Sequence, residues 1–202
     1  MADTSKYLLA ARQALQEKNY EDAKKYYEMV KIEDPTNAEA KIQYQFAKYE
    51  DCTNGQAYDY YTDYMNLLKH AVDNIAASDM PADEQIKFLS GLIETSVNAV
   101  KSCGYAMNRI RTEGDGTSAK INRIERENIL FAKQFGDDLE RKYGSTAEGM
   151  EAACKAWKSY VDRANGNLYI PKTEDPIILT YVEKIQKVDP SYNFVPKKRG
   201  CF

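Results

Sequence analysis

Apolar residues recur every three or four positions over most of the chain, which is the spacing of one face of an α-helix. This pattern predicts a first helix over residues 5–18 and a second over 20–33. The polar link between them is short, so we expect the two helices to fold back on each other as an antiparallel pair. Pro35 ends the second helix because proline lacks a backbone N–H and disfavours helical geometry in the preceding residue, Asp34.

The helical pattern continues to the end of the chain. Thr36 and Glu39 have the spacing of a capping box, in which Thr36 caps a third helix over 38–49. Ser145 and Glu148 have the same spacing. The remaining amphipathic helices are predicted over 56–77, 81–111, 121–139, 145–164 and 177–188. The predicted fold class is all-α, with a helical hairpin followed by a bundle of long amphipathic helices.

Composition agrees with this fold class. Hydrophobic residues make up 43% of the 202-residue chain, which is enough for a substantial core. Glycine (10) and proline (6) are scarce, so long helices are favoured over turn-rich sheets. We predict a hairpin plus one helix over 1–52, a helical bundle packed on it over 53–192, and a flexible tail or interdomain linker over 193–202.

Charge narrows the range of partners. The chain has 28 basic and 31 acidic residues, a net charge of −3, without a long run of one sign, so nucleic acid is not expected as a partner. The start of the chain has no signal-peptide pattern, and no later segment has the roughly 18 unbroken apolar residues of a membrane span. We therefore predict a cytoplasmic protein that does not bind membranes.

Candidate catalytic and metal-binding residues are few. Cys52, Cys103, Cys154 and Cys201 lie about fifty residues apart, and the only histidine is His70. Without paired cysteines or further histidines, we predict no metal site and no cofactor, and we expect the cysteines to be reduced, packed thiols. The helical neighbours of His70 are polar, as expected for a surface histidine and not for a catalytic one. Because His70 is the only candidate for proton transfer by histidine, we predict that the protein is not an enzyme.

The N-terminal hairpin has residues with a characteristic spacing. Taking Pro35 as a closing proline, Tyr20 and Tyr27 fall at aromatic positions and Ala23 falls at a small one. In this register residues 4–37 resemble a tetratricopeptide repeat, a 34-residue helix–turn–helix unit. The resemblance implies that Ala23 allows the two helices to approach closely and that Tyr27 fills the gap to the next helix.

The sequence departs from the repeat pattern at Lys18, where a glycine is usual. The resemblance implies a binding or scaffolding module that captures a peptide or helix of a partner protein in a groove. Tyrosine suits such surfaces because it combines a rigid apolar ring with a polar tip, and ten of the 16 tyrosines lie at or before Tyr64. The candidate partner-binding residues are Tyr7, Tyr20, Lys41, Tyr44 and Lys48.

A second functional hypothesis comes from the long amphipathic helices, which could assemble a homo-oligomer. In that case the chain is a structural module of a larger multidomain protein. Gly200, Cys201 and Phe202 resemble the opening of a Gly-Cys-Phe-Ile box, which begins a C-terminal domain in some bacterial multidomain proteins. The resemblance implies that the preceding basic segment is a linker.

Overall fold

A computed structural model describes residues 4–112 and 114–198, and within these ranges the chain is mainly helical and contains no β-strand. The predicted all-α class is confirmed. A 3-10 turn at Lys172–Glu174 precedes the last helix. The helices are α1 (Thr4–Gln16), α2 (Tyr20–Glu33), α3 (Ala38–Glu50), α4 (Ala57–Leu68), α5 (Ala71–Ala76), α6 (Ala82–Arg109), α7 (Thr117–Tyr143), α8 (Ala147–Ala164) and α9 (Asp175–Val188).

The chain forms two compact units. The N-terminal unit contains residues up to 80 together with 102–113, and the C-terminal unit contains 81–101 together with the residues from 114 onward. Each unit is discontinuous in sequence because α6 contributes its first turns to the C-terminal unit and its last turns to the N-terminal unit.

In the N-terminal unit each helix from α1 to α4 packs on the next one along the chain. The short links between consecutive packed helices require neighbours to run antiparallel, as predicted for the first pair. The hairpin core uses small side chains around one large ring, and both Ala23 and Tyr27 are buried in it. The buried members of this core are Ala11, Ala14, Ala23, Tyr27, Val30, Ala40 and Ala47.

Helix α3 is the central element of this unit. It packs on α2, α4 and α5. Glu39 joins α3 to α1, because its carboxylate accepts two hydrogen bonds from the Arg12 guanidinium at 2.7 and 2.6 Å. The side chain of Glu39 is only 4% exposed, so this ion pair closes the space between the two helices.

Both predicted capping boxes are wrong by one residue. Asn37, not Thr36, caps α3, and its Oδ1 accepts a hydrogen bond from the Ala40 amide at 2.9 Å. The hydroxyl of Thr36 instead donates to the carboxylate of Asp34 at 2.6 Å. At the start of α8 the cap is Thr146, not Ser145.

The single helix predicted over 56–77 is also wrong, because the chain forms α4 and α5 with a break at Lys69 and His70. The buried residues Leu68 and Ala71 flank this break. Apolar spacing therefore continues across the break while the backbone turns away from regular helix geometry, and periodicity alone does not show the interruption.

In the C-terminal unit α8 packs on both α7 and α9. The last helix ends in a turn with the same form as the end of α2. Asp34 and Asp189 each lie one residue before a proline, with φ/ψ of −130°/86° and −126°/90°. Each carboxylate accepts hydrogen bonds from the amide and hydroxyl two residues later, in Thr36 and Ser191.

Beyond this second turn, the described residues up to 198 do not form another helix. The side-chain amide of Asn165, just after α8, accepts a hydrogen bond from the Lys197 amide at 2.9 Å and donates one to the Val195 carbonyl at 2.9 Å. These two bonds hold an extended segment against the end of α8. The sequence pattern did not predict this attachment.

Candidate functional site

Three lysines and two tyrosines converge on one side of α3, and we call them the lysine–tyrosine patch: Lys31, Lys41, Tyr44, Lys48 and Tyr60. Lys41, Tyr44 and Lys48 are three and four residues apart on α3, so their side chains share one face. Lys31 comes from the last turn of α2, and Tyr60 comes from the first turn of α4.

Each tyrosine of the patch carries a lysine over its ring. The Nζ of Lys31 lies 3.5 Å from the centroid of the Tyr44 ring, and the Nζ of Lys48 lies 4.2 Å from that of Tyr60. Both distances are within the range of cation–π attraction, which contributes about 0.5–1 kcal/mol at exposed positions. The rings therefore restrict where the two ammonium groups lie without neutralising their charge.

The positive charges of the patch act on one another. The pKa of Lys31 is lowered by its partial burial, and the charges of Lys48 and Lys41 lower it further, while Glu28 on the same helix opposes the shift. Among the residues that the structure describes, no carboxylate lies within ion-pair distance of these three lysines. The patch is thus a local positive surface on an acidic chain.

Two of the five candidate residues lie elsewhere. Tyr20 packs edge-on against Phe46, with 6.4 Å between ring centroids, and its hydroxyl donates a hydrogen bond to Glu50. Phe46 follows Tyr44 by two positions, and Glu50 follows Lys48 by two. Two positions correspond to a rotation of about 200° around a helix. The residues that Tyr20 contacts therefore lie on the side of α3 opposite the patch. Tyr7 is partly buried against the hairpin core.

Sequence reasoning missed Lys31 and Tyr60. A signal for Lys31 was available, because a short turn after Pro35 brings the end of the second helix beside the start of the third. Tyr60 was visible only as part of a tyrosine-rich segment, since the sequence does not fix which face of α4 meets α3.

The three cysteines within the described residues are free thiols. Cys103 and Cys154 are buried free thiols, as predicted, whereas Cys52 is half-buried and Cys201 lies outside the described residues. Burial raises the pKa of Cys103 to about 12, so this thiol stays protonated at neutral pH. His70 is exposed, as predicted, but it lies in the break between α4 and α5 and not within a continuous helix.

Within residues 4–112 and 114–198, no group of three or more His, Cys, Asp or Glu side chains is arranged to hold a metal ion. None of the described helices is both long and apolar enough to span a membrane. Gly200 and Phe202, which carried the second resemblance together with Cys201, lie outside the described residues.

Comparison with known proteins does not identify a relative. No protein-family model matches the chain, and no curated protein matches it significantly.

Proposed function

We propose that this chain is a tetratricopeptide-like binding module whose lysine–tyrosine patch receives an acidic segment of a partner protein. The observation that carries the proposal is the grouping of Lys31, Lys41 and Lys48 on one surface, where no described carboxylate lies within ion-pair distance of them and Glu28 offsets only part of their charge. A segment rich in aspartate or glutamate supplies the missing negative charge.

The tyrosine rings support this role in two ways. Because Tyr44 and Tyr60 already hold two of the lysines near their rings, less lysine side-chain freedom is lost when a carboxylate binds. Their rings also offer apolar area to the side chains between the acidic residues of the partner. We expect modest affinity that falls as salt is added, since the ammonium groups are partly exposed.

The resemblance to tetratricopeptide repeats is consistent with this proposal. Ala23 and Tyr27, the small and aromatic positions of that pattern, are both buried, although Val30 stands where the pattern commonly has alanine. Such modules bind other proteins without chemistry of their own, so we propose a scaffolding role in the cytoplasm and no catalytic step.

The test is fluorescence anisotropy with a labelled ten-residue glutamate peptide. Replacing both Lys41 and Lys48 with glutamine should weaken binding about tenfold at low salt, since two charge contacts of roughly 1 kcal/mol or less each contribute up to about 2 kcal/mol together. The matched control replaces Lys25 and Lys142, two exposed lysines outside the patch, with glutamine. Equal loss in both variants, or no binding by the unmodified protein, would overturn the proposal.

A further inference from the structure

A polar groove lies in the N-terminal unit, on the side of α3 opposite the lysine–tyrosine patch. It has a volume of about 310 Å³ and runs between the α3–α4 connection and the last turns of α6. The lining includes Glu50 from the end of α3, Cys52 and Asn54 from the connection, and Ser102, Tyr105 and Arg109 from α6. A volume of this size is at the lower end of the range for sites that bind small molecules.

Glu50 presents a positioned carboxylate to this groove. The Tyr20 hydroxyl donates a hydrogen bond to it, and Tyr20 is itself held by its edge contact with Phe46. Partial burial raises the pKa of Glu50 above its usual value, although the Tyr20 hydrogen bond and the charge of Lys18 lower it. The protein therefore compensates only part of the cost of burying this negative charge.

Arg109 supplies the opposite charge from α6. It shares one face of that helix with Ser102 and Tyr105, because the three are spaced by three and four residues. Its side chain is exposed, and in the described part of the chain no carboxylate lies within ion-pair distance of the guanidinium, Glu50 included. One groove thus contains a carboxylate and a guanidinium that do not neutralise each other.

We propose that this groove binds a small zwitterion, a free α-amino acid, with its ammonium group on Glu50 and its carboxylate on Arg109. A guanidinium matches a carboxylate because it can donate two parallel hydrogen bonds, and a carboxylate is the common partner of an ammonium group. Asn54 adds a hydrogen-bonding side chain, and the exposed ring of Tyr105 adds apolar area for the ligand side chain. Glu50 and Arg109 would then each gain an oppositely charged group of the ligand.

This site is separate from the proposed protein-binding surface. Glu50 lies two residues after Lys48 and therefore on the other side of α3. The module would then bind an acidic partner on one side and a metabolite on the other.

The experiment is isothermal titration calorimetry of the full chain with each standard amino acid. We expect at least one to bind in the range of about 1 mM or tighter. The N-acetyl derivative and the methyl ester of that amino acid, which lack one charge each, should bind at least about tenfold more weakly.

Variants then assign the two charges. Glu50→Gln and Arg109→Gln should each weaken binding about tenfold or more, while the control Arg126→Gln, an exposed arginine of α7, leaves it unchanged. Circular dichroism checks that each variant keeps its helices. Failure of every amino acid to bind, or equal binding of the blocked derivatives, would overturn this inference while leaving the anisotropy test of the patch unaffected.

Discussion

Lys18 lies in the tight turn between α1 and α2 with a φ of +57°. This left-handed conformation costs a residue with a Cβ about 1–2 kcal/mol, and glycine adopts it without that cost. The position is the one where the repeat pattern usually has glycine. Lys18 therefore adopts a backbone conformation that favours glycine.

Replacing Lys18 with glycine should raise the free energy of unfolding by about 0.5–1 kcal/mol, because relief of the strained φ exceeds the extra entropy that glycine loses on folding. Urea unfolding followed by circular dichroism measures the change. Lys18→Ala is the control, since it removes the charge near Glu50 but keeps the Cβ. An equal gain from alanine would show that charge, not backbone strain, sets the effect.

Arg12 and Glu39 form the ion pair that joins α1 to α3. Arg12→Ala leaves the carboxylate of Glu39 buried without its bidentate partner and should destabilise the protein by about 2 kcal/mol. The loss is below that of a fully buried pair because the Arg12 side chain is 42% exposed.

The control for this prediction is Arg123→Ala, which breaks an exposed ion pair with Glu127 and should cost no more than about 0.5 kcal/mol. Chemical denaturation compares the two variants. If both variants lose the same small amount of stability, the ion pair between Arg12 and Glu39 does not stabilise the packing of α1 on α3.

At the scale of helices, α7 and α8 pack closely at Gly136. A Cβ placed there would lie 2.5 Å from the indole of Trp157, and the adjacent carboxylate of Asp137 accepts a hydrogen bond from that ring at 3.2 Å. The ring is also fully buried, so it has little room to move. The glycine is thus required by packing between the helices, not by its own backbone conformation.

Gly136→Ala should therefore destabilise the protein by about 1–3 kcal/mol, although alanine is the better helix former. Gly91→Ala on α6 is the matched control, because a Cβ there meets nothing within 4 Å and should stabilise by up to about 1 kcal/mol. Fluorescence of Trp157, the only tryptophan, reports unfolding of both variants. Stabilisation by both substitutions would contradict the close approach.

Most helices could be predicted from the sequence because their apolar residues follow helical spacing. The capping errors arose because two neighbouring residues both satisfy the sequence preferences of an N-cap. Thr36 and Asn37 are both good capping residues, and the choice depends on the Asp34 carboxylate, which engages the Thr36 hydroxyl. Glu39 looked like a capping partner but pairs with Arg12, a long-range contact that no local pattern contains.

The candidate site was only partly predictable for a related reason. Helical spacing places Lys41, Tyr44 and Lys48 on one face of α3, so their grouping follows from the sequence. The positions of Lys31 and Tyr60 depend on how α2 and α4 are rotated against α3, which is set by packing between helices.

At the scale of the whole molecule, buried tyrosines link stability to alkaline pH. Burial is the largest cause of the raised pKa of Tyr27, Tyr49, Tyr160 and Tyr181. In the unfolded chain these phenols lose protons near pH 10, whereas the folded protein retains them. Above about pH 10 the folded state therefore binds more protons, and stability falls as pH rises.

Absorbance at 295 nm during alkaline titration should show that the native protein ionises fewer than its 16 tyrosines until it unfolds. The remaining tyrosines should then ionise together with the loss of helical circular dichroism. Ionisation of all the tyrosines near pH 10 with the helices intact would contradict the burial of these four rings.

The most direct measurement of the proposed function is a charge swap. Lys31, Lys41 and Lys48 are all changed to glutamate, and binding of ten-residue glutamate and lysine peptides is measured by anisotropy. A control of equal net charge carries Lys101, Lys142 and Lys155, which are exposed lysines outside the patch, changed to glutamate. We predict that the patch variant loses the glutamate peptide and binds the lysine peptide, while the control keeps the glutamate peptide. Identical behaviour of the two variants would contradict the lysine–tyrosine patch as the binding surface.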